Sequence, residues 1–207
     1  MLRLLQLADS AMPSGAYAFS DGLETDTQNA RVHDASSLSA WLETQLRFGW
    51  GQSDATACAL AWHPEQRHKI NAELSAIKNI ETLRRASLQI GTTLERNALQ
   101  IWNLALELPQ PVHHAVIFGA LGHAFGCTQK ETVTAFISSY LIGKATSATR
   151  LLRIGGISTQ KMIAKLEPVV LEVIEQACLA REIQSYTPLI DFSAHAQAKL
   201  HLRLFQS

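Results

Sequence analysis

The chain has 207 residues, 47% of them hydrophobic and 17% charged, with 18 basic side chains balancing 18 acidic ones. That length supports one sizeable core, so a single domain over 1–207 is expected. A formal net charge of zero with no long basic run argues against sequence-independent nucleic-acid binding, and no apolar stretch is long enough to span a membrane.

Apolar spacing is helical nearly everywhere along the chain. Leu2 to Ala8 is a short apolar run. It leads into "SAMPSGAYAFSDGLE", residues 10–24, where Pro13 and Gly15 mark a turn. Leu38, Trp41, Leu42 and Leu46 share one helical face over 38–48, with Asp34 or Ser36 as a cap. A break follows near His63-Pro64. Over 80–106, Leu83, Ile90, Leu94, Ala98 and Ile101 make another face, which Gly91 weakens without ending.

Pro109 to Pro111 breaks the chain again. "TQKE" at 128–131 is a capping box, followed by Val133, Phe136, Ile137, Tyr140 and Leu141 at helical steps. Gly155-Gly156 reads as a helix terminus with a left-handed glycine. Residues 158–182 resume the helical pattern from Met162 to Ala177, and Pro168 inside it should kink the element or start a second helix. No period-two strand competes. The expectation is an all-α, single-domain helical bundle of roughly eight to ten helices.

Three chemistries have candidates. Ser20 sits between Ala18 and Gly22 in the spacing of a hydrolase elbow, but no strand precedes it. Its bland reading is a serine that caps or lines a helix start. His123 and Cys127, four apart, could face one metal ion; a core or half-buried pair is the alternative. Asp21 and Glu24 could share a helix face, with no positioned base or cation beside them. Phosphate loops are absent. Cys58, Cys127 and Cys178 are scattered, odd in number and without a CxxC, which argues against a disulfide framework and fits a reducing cytoplasm. The last segment, "PLIDFSAHAQAKLHLRLFQS", ends on an apolar pair, Leu204 and Phe205. Such an end packs on its own domain or docks into a partner's groove, and the residues leave both open.

Together the two ends resemble the urease accessory protein UreF family. The family's opening is similar to LLQLADSxLPxGxFxxSxGLE. This chain has Leu4 to Ser10, then Pro13, Gly15, Ser20, Gly22, Leu23 and Glu24, with Tyr17 for the usual phenylalanine and Phe19 where histidine or another aromatic is common. "SLSAWLETQL" resembles the second helix, and Asp54 an acid at the start of the third. "SATRLLRIGG", with Arg150, Gly155 and Gln160, resembles SAxxRLxxxGQxxxQ, with Gly156 in place of glutamine. Arg203, Leu204, Phe205 and Ser207 resemble the terminal RLFxS.

The resemblance implies an all-helical, usually dimeric, non-enzymatic protein without a cofactor of its own. It implies partnership with UreD (also called UreH), the GTPase UreG and apo-urease, in an assembly that delivers nickel. Segments 1–24 and 187–207 would bind partners. Within them Pro13, Gly15, Ser20, Gly22 and Leu23 would shape a patch. Tyr17 and Phe19 would supply apolar contacts, and Glu24 a charged anchor; the alternative for Tyr17, Phe19 and Leu23 is that they face their own core. Arg203, Leu204, Phe205 and Ser207 would form the docking end. Arg150 and Gln160 complete the set; Arg150 is the one candidate for touching GTP chemistry, with a structural or partner ion pair as the alternative.

Overall fold

A computed structural model describes residues 1–197, 204 and 205, apart from the side chain of Tyr17. Among the described residues the chain is all-helical, as expected, with eleven α-helices and two short 3-10 turns. The α-helices are α1 (Leu2–Ala8), α2 (Leu23–Gln28), α3 (Ala35–Phe48), α4 (Asp54–Ala61), α5 (Arg67–Ile77) and α6 (Glu81–Trp102). They continue with α7 (His114–Ala124), α8 (Gln129–Leu151), α9 (Gly156–Lys165), α10 (Glu167–Leu179) and α11 (Pro188–Gln197).

Local chemistry sets several boundaries. Asp34 caps α3, accepting from the Ser37 amide at 2.8 Å, and the Ser37 side chain completes a capping box. Thr128 and Glu131 form the second box, at the start of α8. Asn103, at φ 50°, ends α6 four residues before the expected limit of 106. Asparagine tolerates the left-handed region and so serves as a helix terminator. Pro168 lies in the first turn of α10, where its missing N–H costs no hydrogen bond, and it therefore starts a helix instead of kinking one. Gly155 caps α9 in an extended conformation, at φ −72°, so the left-handed terminus expected there is not formed.

The core centres on α4 and α7. All eight residues of α4 are buried, and so are nine of the eleven in α7. These two helices pack on each other; α7 also meets α6 and α8, and α4 meets α8 and α10. Gly119 permits the close crossing: a Cβ there would lie 2.3 Å from the carbonyl oxygen of Cys58. At the periphery, α1 lies on α8, and α11 lies on α2 and α6. The two ends of the chain therefore sit on the same body. No helix among the described residues is long and apolar enough to cross a membrane.

Gly119→Ala should lower stability by roughly 1–3 kcal/mol, because the added methyl meets backbone that cannot rotate away. A urea titration checks this; an unchanged midpoint would mean that α4 and α7 can separate without cost.

Candidate partner-binding site

The opening stretch turns inward at residue 19. Phe19 packs with Ala86 and Ile90 of α6. Asp21 and Gly22 both have positive φ, 53° and 88°, and reverse the chain into α2. Gly22 is required on a second ground. A Cβ there would lie 2.9 Å from the Ala194 nitrogen, so only glycine lets α11 approach this closely.

A hydrogen-bonded clasp then joins this turn to the end of the chain. Gln197, wholly buried, accepts at Oε1 from Ser20 Oγ (2.8 Å) and from the Gly22 amide (3.1 Å). Its Nε2 donates to Glu24 Oε2 at 3.3 Å. Glu24, 1% exposed, also accepts from the backbone amides of Leu204 (2.7 Å) and Phe205 (3.3 Å). Two residues along, buried Asp26 accepts from Trp41 Nε1, Arg31 Nε and Ser193 Oγ, which ties α2 to both α3 and α11.

Beside the clasp lies a cavity of about 680 Å³, whose wall includes α1, α6 and α8. Its polar lining holds two buried ion pairs. Lys144 Nζ donates to Asp21 Oδ2 at 2.7 Å and to the Phe19 carbonyl at 2.8 Å. Tyr140 donates to the same Asp21 oxygen at 2.6 Å. Lys78 and Ser53 both donate to Asp54 Oδ2, at 2.8 and 2.9 Å. Burial pushes the Asp21 carboxyl up, but the attraction and hydrogen bond of Lys144 outweigh it and hold the group below the ordinary carboxylate range. Burial drives the Tyr140 phenol well above its usual value, and Asp21 beside it adds to the shift.

The adjacent histidines serve different ends. His113 is pinned between Ser87 and Ser75, 3.0 Å from Nδ1 and 2.8 Å from Nε2. His114 lines the cavity and lies against Phe118 and Phe136. Burial lowers both to about 4. Lys78 reinforces the shift at His113, whereas Asp54 opposes it at His114.

A family model for UreF matches residues 32–167, more than half of the chain. The chain belongs to the UreF family of urease accessory proteins. It is 30% identical over 221 aligned positions to urease accessory protein UreF from Brucella ovis, covering all of this chain and 94% of that protein. It is 28% identical to the UreF of a Nostoc species, over 82% of this chain and 78% of the relative. Both relatives are named urease accessory proteins.

The UreF-family motif residues divide into two groups. Phe19, Ser20, Gly22, Leu23, Glu24 and Phe205 are buried in the clasp or beneath it. Pro13, Gly15, Arg150, Gln160 and Leu204 are exposed. Tyr17 belongs to the 3-10 turn Ala16–Ala18, with its side chain outside the described set. Arg203 and Ser207 also lie outside the described residues. Glu24, expected as a charged anchor for a partner, instead holds the chain's own end. Phe19, an apolar contact or a core residue by its sequence, takes the second place and packs with Ala86 and Ile90.

Two chemical alternatives fail on geometry. Ser20 is fully buried, and its hydroxyl donates to an amide oxygen, which cannot serve as a general base. His123 and Cys127 do not share a helical face, because α7 ends at Ala124 and the chain turns through Gly126 at φ 72°. His123 is left exposed against Trp62, while Cys127 is buried. Among the described residues no three His, Cys, Asp or Glu side chains converge on a metal position.

The sequence reading missed Leu189 and Phe192. They are 75% and 72% exposed, on the face of α11 opposite Ile190, Ser193, Ala194 and Gln197. Their three-residue spacing was visible, but Ile190 and Ala194 offered an equally good buried stripe.

Two measurements probe this site. Lys144→Met leaves Asp21 buried without its cation and should cost roughly 3–5 kcal/mol, read from chemical denaturation. Both histidines have folded values near 4 against an ordinary 6.5, so the unfolded chain takes up protons first as pH falls. The stability present above about pH 6.5 should therefore decline towards pH 4, and His114→Leu should flatten that decline. A pH-independent denaturation midpoint in the wild type would contradict the assigned burial.

Proposed function

We propose that this chain is a scaffold in urease maturation. In this reading it binds UreD (UreH) and the GTPase UreG in a cytoplasmic assembly that delivers nickel to apo-urease, and it works as a homodimer. Catalysis and the nickel and GTP chemistry belong to the other members.

The observation that carries the reading is the two-sided C-terminal segment. Its inner face is locked to the opening motif through Gln197 and Phe205, while Leu189, Phe192 and Leu204 face solvent at 72–75% and 71% exposure. Apolar side chains displayed by a segment so firmly held on its other face suit docking into a partner groove. The first helix adds Leu2 and Leu5, both exposed. Partner-binding segments 1–24 and 187–207 thus act in two ways: the buried motif residues set the shape, and the exposed ones make contact. Arg150, exposed in the last turn of α8, is available for an ion pair with a partner.

The adjacent residues of the terminal pair separate the two roles. Leu204→Ser should leave stability within about 0.5 kcal/mol yet abolish co-elution with UreD and UreG on gel filtration. Phe205→Ala should cost roughly 3 kcal/mol of stability. Wild-type protein that never co-elutes with UreD, under conditions where another UreF does, would rule out the scaffold reading.

A further inference from the structure

The cavity of about 680 Å³ has the size of a small-molecule site, and its polarity is graded with depth. Asp54, His114 and Lys144 line it and are buried. Met1, Leu5 and Ile142 line it and are exposed, so they form its mouth. Buried Leu4 and Leu7 of α1 and Ile90 and Leu94 of α6 make the apolar wall between.

Two of the deep groups hold hydrogen-bonding capacity that the protein does not use. His114 is 9% exposed, and among the described residues neither of its ring nitrogens has a hydrogen-bond partner. Its nitrogens are not among the sealed unpartnered atoms, which are Thr25 Oγ1 and Trp50 Nε1, so they open onto the cavity. Burial holds the ring neutral, so one nitrogen donates and the other accepts. The Lys78 ammonium has three donors, and among the described residues Asp54 is its one hydrogen-bond partner.

Gly143 is the second observation. It stands in the middle of α8, where glycine is a poor helix former, and it lines the cavity. No described atom would lie within 4 Å of a Cβ there, so close packing does not explain the glycine. What the missing side chain does is leave the space open.

The charges select the occupant. Asp54 and Asp21 are already matched by Lys78 and Lys144, so a cationic head would find no free counter-charge at depth. Asp9, Glu131 and Asp191 line the cavity nearer the surface and, among the described residues, pair with no cation, so they oppose an anion. A charged group would therefore lose its water without compensation. We infer that the cavity binds a small uncharged amphiphile whose carboxamide-like head meets Lys78 and His114 and whose apolar part runs to the mouth. The carbonyl accepts from Lys78, and the N–H donates to the imidazole. This goes beyond the scaffold reading and does not depend on it.

The test titrates the full-length chain by calorimetry with three probes of one tail length: octanamide, octanoate and octylammonium. Octanamide should bind at least about tenfold tighter than either ion. His114→Phe, which keeps a ring against Phe118 and Phe136, should weaken octanamide about tenfold. Gly143→Phe, which places a side chain in the open space, should abolish octanamide binding with the melting temperature retained. No heat from octanamide with the wild type overturns the inference, as does an ion that binds as tightly. Unchanged octanamide affinity in Gly143→Phe does the same, and so does unchanged affinity in His114→Phe, which decides the matter if Gly143→Phe does not fold. Co-elution with UreD tests the scaffold reading separately, and none of these outcomes bears on it.

Discussion

A carboxylate at the bottom of the fold must be given hydrogen-bond donors, and this requirement organises both ends of the chain. Glu24 is buried because α2 is covered by α11 and the terminal residues. An unsatisfied carboxylate in that position would cost several kcal/mol. The donors come from 173 to 181 residues away in the sequence, so the site exists only when the last segment returns to the first. Gly22 makes the return possible by omitting the Cβ that would strike α11. Gln197 makes it specific, because its amide bonds to three groups of the opening stretch at once.

The same turn faces a second demand on its other side. Asp21 points towards α8, where Lys144 and Tyr140 meet one of its oxygens. Consecutive residues of the motif therefore bind different parts of the body: Ser20 and Gly22 the last helix, Asp21 the long eighth helix. The left-handed backbone at 21 and 22 is what divides them. Ion pairs buried in this way add little net stability, since desolvation offsets most of the attraction. They also penalise a wrong register: a shift of α8 by one turn would leave Asp21 and Lys144 both buried without a partner.

Local signals were legible in the sequence, and long-range ones were not. The cap at Asp34, one of two offered with Ser36, the capping box at Thr128, and the interruption at Pro168, which resolves as a helix start and not a kink, follow from chemistry within four residues. The all-α class followed from periodicity. By contrast, nothing in "RLF" says that Phe205 goes inward and Leu204 outward, because neighbours in a chain differ only by what they find in space. Lys144 was equally hidden. A lysine on a helix reads as solvent-facing, and only the position of Asp21, 123 residues earlier by number, makes its burial tolerable. The resemblance identified Glu24 as important but carried no geometry, so its charge was assigned to a partner and not to the protein's own main chain. His123 and Cys127 failed for the opposite reason: a helical spacing was applied across residues where the helix had already ended.

The distribution of polarity argues for a molecule that works by contact. Charged and amide groups that normally seek water, including Asp21, Glu24, Asp26, Asp54, Lys144 and Gln197, lie inside, each with hydrogen-bond partners. Leucines and aromatics that normally avoid water, including Leu2, Leu5, Tyr186, Leu189, Phe192 and Leu204, lie outside. For a protein that acted alone this arrangement would be costly on both counts, since buried polar groups must be desolvated and exposed apolar ones hydrated. It becomes favourable when the internal network fixes a rigid frame and association covers the external side chains. In the scaffold reading, the interior determines the shape that is offered and the exterior the affinity with which it is received.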